Sequence, residues 1–144
     1  MEIRLATVRD VDALFLLNAL DGQVTTKEFM REMLLTNQQE FVCIALDNGF
    51  AVGYCTGLLI KSMCHHVHRG EVESIYVREE YRNRGVGKAL LDLLEKQFTD
   101  IGVNHFHLTT KKVNFAAQAL YEKMGYVDAE EIFYEKTIVE NCPF

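Results

Sequence analysis

The sequence predicts one α/β domain in which helices cover a mixed β-sheet. Three observations lead to this fold class. Apolar residues alternate with polar ones in several short segments, as in half-buried strands, and they recur at helical spacing in others. An amphipathic segment also separates two strand-like segments, and such a crossover joins parallel strands. The chain has 144 residues and no linker, repeat or low-complexity run, so we expect a single domain over residues 1–144.

The first part of the chain is predicted to form a strand and two helices. Residues 1–6 alternate between apolar and polar side chains, which is typical of a strand. Thr7 and Asp10 match a capping box, the signal that begins a helix. Residues 25–28 repeat this signal before a second helical pattern. We therefore expect two successive helices after the first strand.

Strands dominate the middle of the chain. Residues 41–46 and 50–60 are predicted strands, and the Asn-Gly pair between them is the strongest short-range hairpin signal. Residues 61–70 are largely polar and are predicted to form a loop. Another strand is expected at 71–77.

The remaining elements alternate between helix and strand. A turn rich in glycine and arginine at 81–87 opens a long amphipathic helix, which should end near Gly102. Residues 105–110 are a predicted strand, 114–123 a helix, and 130–139 a last alternating strand. The predicted order is therefore β-α-α-β-β-β-α-β-α-β.

Composition narrows the range of partners and compartments. The chain has 15 basic and 21 acidic residues, a net charge of −6. This balance argues against nucleic-acid or anionic-membrane binding and suits a small cationic partner. The four cysteines form no CxxC pair, and neither a signal-like apolar core nor a membrane-length apolar run occurs. We expect a cytoplasmic protein of a reducing compartment, without nucleic-acid or membrane partners.

The loop before the long helix has the residue types of a phosphate site. Backbone N–H groups at a helix start are unpaired and carry positive dipole charge. Gly85 and Gly87 would let a pyrophosphate approach them closely. A plain helix start with solvated arginines is the alternative. Walker and dinucleotide-binding motifs are excluded, because Arg82, Ala89 and Leu90 occupy positions where those motifs need other residues.

Together with a second segment, this loop resembles the GNAT N-acetyltransferase superfamily. The acetyl-CoA signature of that family, (Q/R)xxGx(G/A), is matched by Arg82, Asn83, Arg84, Gly85, Val86 and Gly87. A second family element, roughly NxxAxxLYEKxGF, is matched by Asn114, Ala117, Leu120, Tyr121, Glu122, Lys123, Gly125 and Tyr126. Two separate motifs in the correct order make the similarity specific, and it covers nearly the whole chain.

The resemblance implies a GNAT-like fold and acetyl-CoA as co-substrate. Such a domain has a mixed, mostly antiparallel sheet of about six to seven strands, flanked by about four helices. The sheet would splay between the strands at 71–77 and 105–110, where the pantetheine arm inserts. Backbone groups of Ile75 and Val77 would pair with this arm, with the Val77 N–H near the thioester oxygen.

The resemblance also implies which side chains contact the cofactor. The pyrophosphate would be held by Arg82, Asn83, Arg84, Gly85, Val86, Gly87 and Lys88. Asn114 would hydrogen-bond the pantetheine arm, and Tyr121 would lie near the sulfur. For Tyr121, packing in the core is the alternative interpretation.

Acetyl transfer to an amine needs an acid and a base. An alkylammonium has a pKa of about 10.4 and a thiol about 8.5 in water. A base must therefore take the amine proton, while a phenol such as Tyr121 can protonate the departing sulfur. Glu71 and Glu73 are the predicted bases, because they lie on the strand that should face the thioester; two solvated acids are the alternative. Direct transfer requires no nucleophile on the enzyme, so the cysteines need no catalytic role.

One further cluster carries potential metal ligands. Cys64, His65, His66 and His68 lie within five positions and could bind zinc. Their spacing matches no standard structural site, and a flexible substrate-facing loop is the alternative. We expect no metal.

We therefore predict an N-acetyltransferase that moves the acetyl group of acetyl-CoA directly to the primary amine of a small cationic molecule, such as an aminoglycoside or a polyamine. A protein lysine or an N-terminal amine is an alternative. The N-terminal amine alone is weakened by Thr109, which stands where some N-terminal acetyltransferases carry an acid. A non-catalytic CoA-binding regulatory domain is the alternative from another class, and the intact Asn114 and Tyr121 argue against it. Residues 130–139 could pair across a homodimer.

Overall fold

The computed structural model describes residues 1–138, which belong to two compact units. The first is Met1–Thr109, and the second begins at Thr110. The elements in chain order are β1 (Glu2–Leu5), α1 (Val11–Leu20), α2 (Lys27–Thr36), β2 (Glu40–Asp47), β3 (Phe50–Ser62), β4 (His65–Val77), α3 (Val86–Asp100), β5 (Phe106–His107) and α4 (Phe115–Lys123). Helix α4 lies in the second unit and all other elements in the first. A single domain over 1–144 stays a prediction.

The strands form one sheet in the order β1-β2-β3-β4-β5. The first three pairings are antiparallel, and β5 is parallel to β4. The fold class and the four helices are confirmed for the described residues, but six to seven strands is wrong, since the sheet has five. None of the helices in this part of the chain has the length and apolar character that a membrane span requires.

The predicted strand at 130–139 accounts for the missing element. Residues 130–138 form no strand, and Val139 lies outside the described residues. Apolar side chains of this segment, such as Ile132 and Tyr134, are exposed. An alternating apolar and polar pattern decides which face of a strand is buried, but the strand itself forms only where a neighbouring strand supplies hydrogen bonds. Strand β5 is also shorter than the predicted 105–110, and pairing of residues 130–139 across a homodimer stays a prediction.

Two hairpins connect β2, β3 and β4. The first turn is the predicted Asn-Gly pair, in which Asn48 and Gly49 both have positive φ angles of 50° and 81°, as a tight hairpin turn requires. The second corrects the predicted loop at 61–70, because β3 continues to Ser62 and β4 starts at His65. Because the end of this hairpin is exposed, its strands carry polar residues and resemble a loop in sequence.

Helices pack on both faces of the sheet. On one face, Phe98 of α3 is fully buried and makes an edge-to-face contact with Phe41 of β2 at 5.1 Å. A Cβ atom at Gly57 would lie 2.8 Å from the Phe98 ring, so glycine permits this close approach. On the other face, Leu14 and Leu17 of α1 pack in one buried cluster with sheet residues such as Ile44 and Tyr54.

The capping box predicted for Thr7 and Asp10 is present, and it caps a short 3-10 helix (Val8–Asp10) that leads directly into α1. The Asp10 carboxylate accepts a 2.8 Å hydrogen bond from the Thr7 N–H. It also accepts two hydrogen bonds from the Arg4 guanidinium, at 2.8 and 2.9 Å. Arg4 thereby lowers the pKa of Asp10 below its ordinary value of 3.8, although burial acts in the opposite direction. The signal for α2 is shifted by one residue, since Thr26 caps this helix.

The Arg4–Asp10 pair predicts an acid-dependent stability. Because the pKa of Asp10 is lowered on folding, its contribution is present above the ordinary pKa and lost as the pH falls through the folded-state value. We expect Asp10→Asn to lower the free energy of unfolding by about 1–3 kcal/mol at neutral pH. We also expect the difference from the wild type to shrink below about pH 4. Urea unfolding at several pH values measures both. The control is Asp12→Asn, whose side chain is 83% exposed, and equal pH dependence in all three proteins would contradict the prediction.

Candidate active site

Strands β4 and β5 pair over a very short length and then separate. Only Gly70 and Glu71 of β4 are in register with β5, and the Gly70 N–H donates to the His105 carbonyl at 2.9 Å. From Val72 to Val77, β4 has no strand on this side among the described residues. A splay between the strands at 71–77 and 105–110 is therefore present. Ile75 and Val77, the residues predicted to pair with a pantetheine arm, lie on the open edge.

A β-bulge at Glu73 shapes the face of β4. Ser74 is opposite Thr56 and Val72 is opposite Gly57, so Glu73 has no partner of its own on β3. In a regular strand, neighbouring side chains point to opposite faces. The bulge instead lets Glu73 and Ser74 line the same cavity. Bulges often re-aim side chains in this way next to active sites.

The loop after β4 ends in a helix start with unpaired backbone donors. Asn83 and Gly85 have φ angles of 61° and 80°, and no side chain caps α3. The first hydrogen bond of the helix runs from the Ala89 N–H to the Gly85 carbonyl at 3.0 Å. The N–H groups of residues 86–88 therefore have no helical acceptor, and the first turn contains no acidic residue. These properties fit an anionic phosphate group.

Basic side chains surround this helix start. Arg82 donates from Nε to the Val77 carbonyl at 2.9 Å, and its guanidinium lies 5.6 Å from the centre of the Tyr76 ring. Lys88 pairs with Asp92 at 2.7 Å. Arg82 thus ties the loop to the end of β4, where the open edge of the sheet finishes.

A cavity of about 180 Å³ lies on the face of the sheet that carries α1 and α2. Its walls are mainly apolar, with the polar groups concentrated on the sheet. It is lined by Leu14, Asn18, Thr25, Phe29, Met30, Met33, Leu34, Glu40, Val42, Tyr54, Thr56, Glu73 and Ser74. Two carboxylates, and none of the cationic side chains of the described residues, contribute to the lining. The cavity therefore favours a ligand with positive charge and some apolar surface.

Glu40 is a site residue that the sequence analysis missed. Burial raises the pKa of this carboxyl above its ordinary value, and the charge of Glu73 raises it further. In the sequence, Glu40 stands immediately before an apolar run, where an acid usually marks the solvated start of a strand. Only the packing of α2 over β2 places it in a cavity.

The two predicted bases occupy different surroundings. Glu73 lines the cavity, whereas Glu71 does not. The Glu71 carboxylate lies 3.7 Å from Nε2 of His107, its register partner on β5. Both side chains retain access to solvent. Of the two, Glu73 is the one that the structure places beside the cavity.

A second group that the sequence analysis missed is a polar network behind the cavity. Tyr54 is only 3% exposed, and its hydroxyl donates to Asp21 Oδ2 at 2.9 Å. Asn18 Nδ2 donates to the Tyr54 oxygen at 3.2 Å. Asn18 lies on α1 and Asp21 directly after it, whereas Tyr54 lies on β3, more than 30 positions further along the chain. No local sequence pattern could have joined them.

Asn114 and Tyr121 belong to the second unit. The Asn114 side chain caps α4, because its Oδ1 accepts from the Ala117 N–H at 3.2 Å. This leaves the amide NH₂ group as the donor for a ligand. Tyr121 is 8% exposed, and its ring lies 6.0 Å from that of Tyr126. The roles of both residues toward acetyl-CoA stay predictions.

The cysteines and histidines of residues 1–138 form no metal-binding group, and the two buried cysteines are poor nucleophiles. Cys43 and Cys55 are buried opposite each other on β2 and β3, and burial raises the pKa of Cys43 to about 12. A thiol with so high a pKa is a poor nucleophile at neutral pH. Within residues 1–138, no three His, Cys, Asp or Glu side chains are grouped so as to hold a metal ion, and Cys64 and His65 lie at the exposed hairpin end.

Comparison with known proteins gives consistent results. The family model described as the acetyltransferase (GNAT) family matches residues 11–126. An acetyltransferase from Pectobacterium atrosepticum is 29% identical over 110 residues, which cover 76% of this chain and 74% of the relative.

Two solved structures share the fold. The ribosomal-protein-alanine N-acetyltransferase of Brucella melitensis biovar Abortus has a TM-score of 0.79 at 23% identity and covers 95% of this chain and 100% of its own. The aminoglycoside N-acetyltransferase AAC(6')-Iy, in complex with CoA, has a TM-score of 0.81 at 19% identity and covers 96% and 100%.

The uncapped start of α3 predicts the effect of a new charge in the loop. We expect Gly87→Glu to weaken CoA binding at least about 100-fold, or about 2.7 kcal/mol, because a carboxylate would occupy the place of a phosphate. An acid in the first turn is favourable for the helix itself, so the fold should persist. Gly87→Ala is the matched control, because it adds bulk without charge. Isothermal titration calorimetry measures both affinities, and unchanged CoA affinity in a folded Gly87→Glu protein would show that the site lies elsewhere.

Proposed function

The chain belongs to the acetyltransferase (GNAT) family, and we propose that it acetylates the primary amine of a small cationic molecule. It is an N-acetyltransferase whose acyl donor is acetyl-CoA. The proposal concerns the acceptor, the direct character of the transfer and the residues that carry it out.

The cavity beside β4 is the observation that carries the proposed acceptor. Glu40 and Glu73 give it negative charge, and Phe29, Met30 and Met33 give it apolar surface. An ammonium group that leaves water for such a site needs carboxylates to compensate for its lost hydration. The net charge of −6 favours the approach of cations over longer distances. Aminoglycosides and polyamines have this chemistry.

Acetyl-CoA would bind along the open edge of β4. The start of α3 would hold the pyrophosphate through the N–H groups of residues 86–88, assisted by Arg82, Asn83, Arg84 and Lys88. The backbone of Ile75 and Val77 would pair with the pantetheine arm, and the Val77 N–H would stabilise the negative charge that develops on the thioester oxygen. Asn114 would donate to the same arm.

The transfer itself would be direct. The neutral amine attacks the thioester carbonyl, the carbon–sulfur bond breaks, and Tyr121 protonates the departing sulfur. Glu71 and Glu73 are the bases that the sequence predicts for the amine proton, and the position of Glu73 in the cavity lining favours it over Glu71. The high pKa of the Cys43 thiol is consistent with the absence of an acyl-enzyme on that residue.

The acceptor is tested by measuring CoA release on a panel of amines. We expect the highest kcat/KM with aminoglycosides or polyamines, and lower values with monoamines and with peptides that present a lysine or an N-terminal amine. Glu40→Gln should raise KM for the polycations about tenfold, or about 1.4 kcal/mol, whereas the exposed Glu32→Gln should leave it unchanged. Turnover of peptides alone would favour a protein acetyltransferase. CoA binding without any amine turnover would favour the regulatory domain.

Tyr121→Phe tests the acid. The substitution keeps the ring and removes the hydroxyl, so we expect kcat to fall about 10²–10⁴-fold while CoA affinity changes little. Single-turnover measurements separate the chemical step from product release. A chemical step as fast as in the wild type would reject this role for Tyr121.

A further inference from the structure

The polar network behind the cavity connects a cavity-lining residue, Tyr54, to a carboxylate outside the cavity. Tyr54 and Asn18 line the cavity, whereas Asp21 does not. The Tyr54 hydroxyl uses its only proton in the 2.9 Å hydrogen bond to Asp21. Its oxygen can therefore act only as an acceptor toward other groups. Asn18 supplies one such donor at 3.2 Å and Ser74 interacts with the same hydroxyl, so an ammonium group in the cavity would take the place of the Ser74 contact.

We propose that Asp21, acting through the Tyr54 hydroxyl, and not Glu71 or Glu73, accepts the proton that the acceptor amine loses before it attacks acetyl-CoA. An N–H bond of the ammonium breaks as its proton moves to the Tyr54 oxygen. The original Tyr54 proton moves at the same time to Asp21 Oδ2. The amine and the Asp21 carboxyl are then neutral, Tyr54 is unchanged, and Asp21 later returns its proton to water. The proposal rests on the proposed amine acetylation and concerns only the path of the proton.

The position of Tyr54 in the sheet suits this step. Tyr54 is opposite Tyr76 on β4. Tyr76 directly precedes Val77 and lies two positions after the bulge residue Ser74. Ser74 interacts with the Tyr54 hydroxyl and lines the same cavity. An amine bound here would lie between the carboxylates of the cavity and the end of β4, where the thioester is proposed to bind.

The groups around Asp21 favour a carboxylate that can take up a proton. Burial raises its pKa above the ordinary value, whereas hydrogen bonds from Tyr54 and Gln23 and the charge of Arg82 lower it. The net direction is upward, and a base whose pKa lies closer to neutrality is the more effective proton acceptor. The ionisable groups that line the cavity itself are Glu40, Tyr54 and Glu73.

Tyr54 is a poor base without this carboxylate. Burial and the neighbouring Asp21 charge both raise the pKa of the phenol, so a free tyrosinate is not present at neutral pH. The transfer through Tyr54 avoids this intermediate, because the phenol releases one proton as it receives another. Asp21 is thus a positioning and proton-accepting residue that acts without touching the amine.

The test is the pH dependence of kcat at saturating acetyl-CoA and amine. The wild type should lose activity as the pH falls through the raised pKa of Asp21, because a protonated carboxyl accepts no proton. Asp21→Asn and Tyr54→Phe should each lower kcat about 10²–10⁴-fold, while CoA affinity is kept. Both should also remove the decline of kcat at low pH, the acidic limb of the profile. The double variant should be no slower than either single one, since both act in one path. Asp21→Glu should restore part of the rate.

Matched variants distinguish this role from a structural one and from the other acids. Asp12→Asn, an exposed position on the helix that Asp21 follows, should leave both kcat and its decline at low pH unchanged. Asp21→Asn with an unchanged limb would overturn the inference, even if its melting temperature or CoA affinity fell. Loss of the limb in Glu71→Gln or Glu73→Gln, with the limb kept in Asp21→Asn, would also overturn it. Turnover by the wild type tests the proposed function separately, so the two failures cannot be confused.

Discussion

The separation of β4 from β5 is the constraint on which the rest of the site depends. β5 is anchored by aromatic packing, with the rings of Phe98 and Phe106 6.0 Å apart. Gly70 makes this possible, since a Cβ atom there would lie 2.9 Å from the Phe106 ring. Beyond this anchor, β4 stays paired with β3, but its other edge has no neighbouring strand among the described residues. A sheet edge of this kind is stable only when another chain, a ligand or water supplies hydrogen bonds.

The same strand connects the two halves of the proposed chemistry. In that proposal, one side of β4 would offer backbone groups to acetyl-CoA, and the face toward α1 and α2 would offer Glu73 and Ser74 to the acceptor. Arg82 fixes the loop to the last carbonyl of β4, so the phosphate-binding region and the acceptor cavity share one rigid element. Sites carried on regular elements hold their groups more precisely than sites on loops.

Local sequence signals correctly predicted the helix starts and turns, because interactions between neighbouring residues determine these features. The capping box of Thr7 and Asp10, the Asn48-Gly49 turn and the helix start at Gly85 each depend on neighbours within a few residues, and all are present. Errors arose where distant partners decide. The alternating segment 130–138 has no strand beside it in the described part of the chain, and the polar hairpin end has one. Glu40 and Asp21 gain their raised pKa values from burial by elements remote in sequence, which no motif records.

The bulge at Glu73 also reverses the phase of β4. Val72 faces the α3 side through its pairing with Gly57, and Ile75 faces the same side through Cys55, although one position is even and the other odd. Before the bulge, even-numbered residues of β4 therefore face α3, and after the bulge odd-numbered residues do. Loss of one residue here would exchange the two faces of everything that precedes it, back to the hairpin end. Chain length, as much as residue type, thus determines which side chains this strand presents to an acceptor.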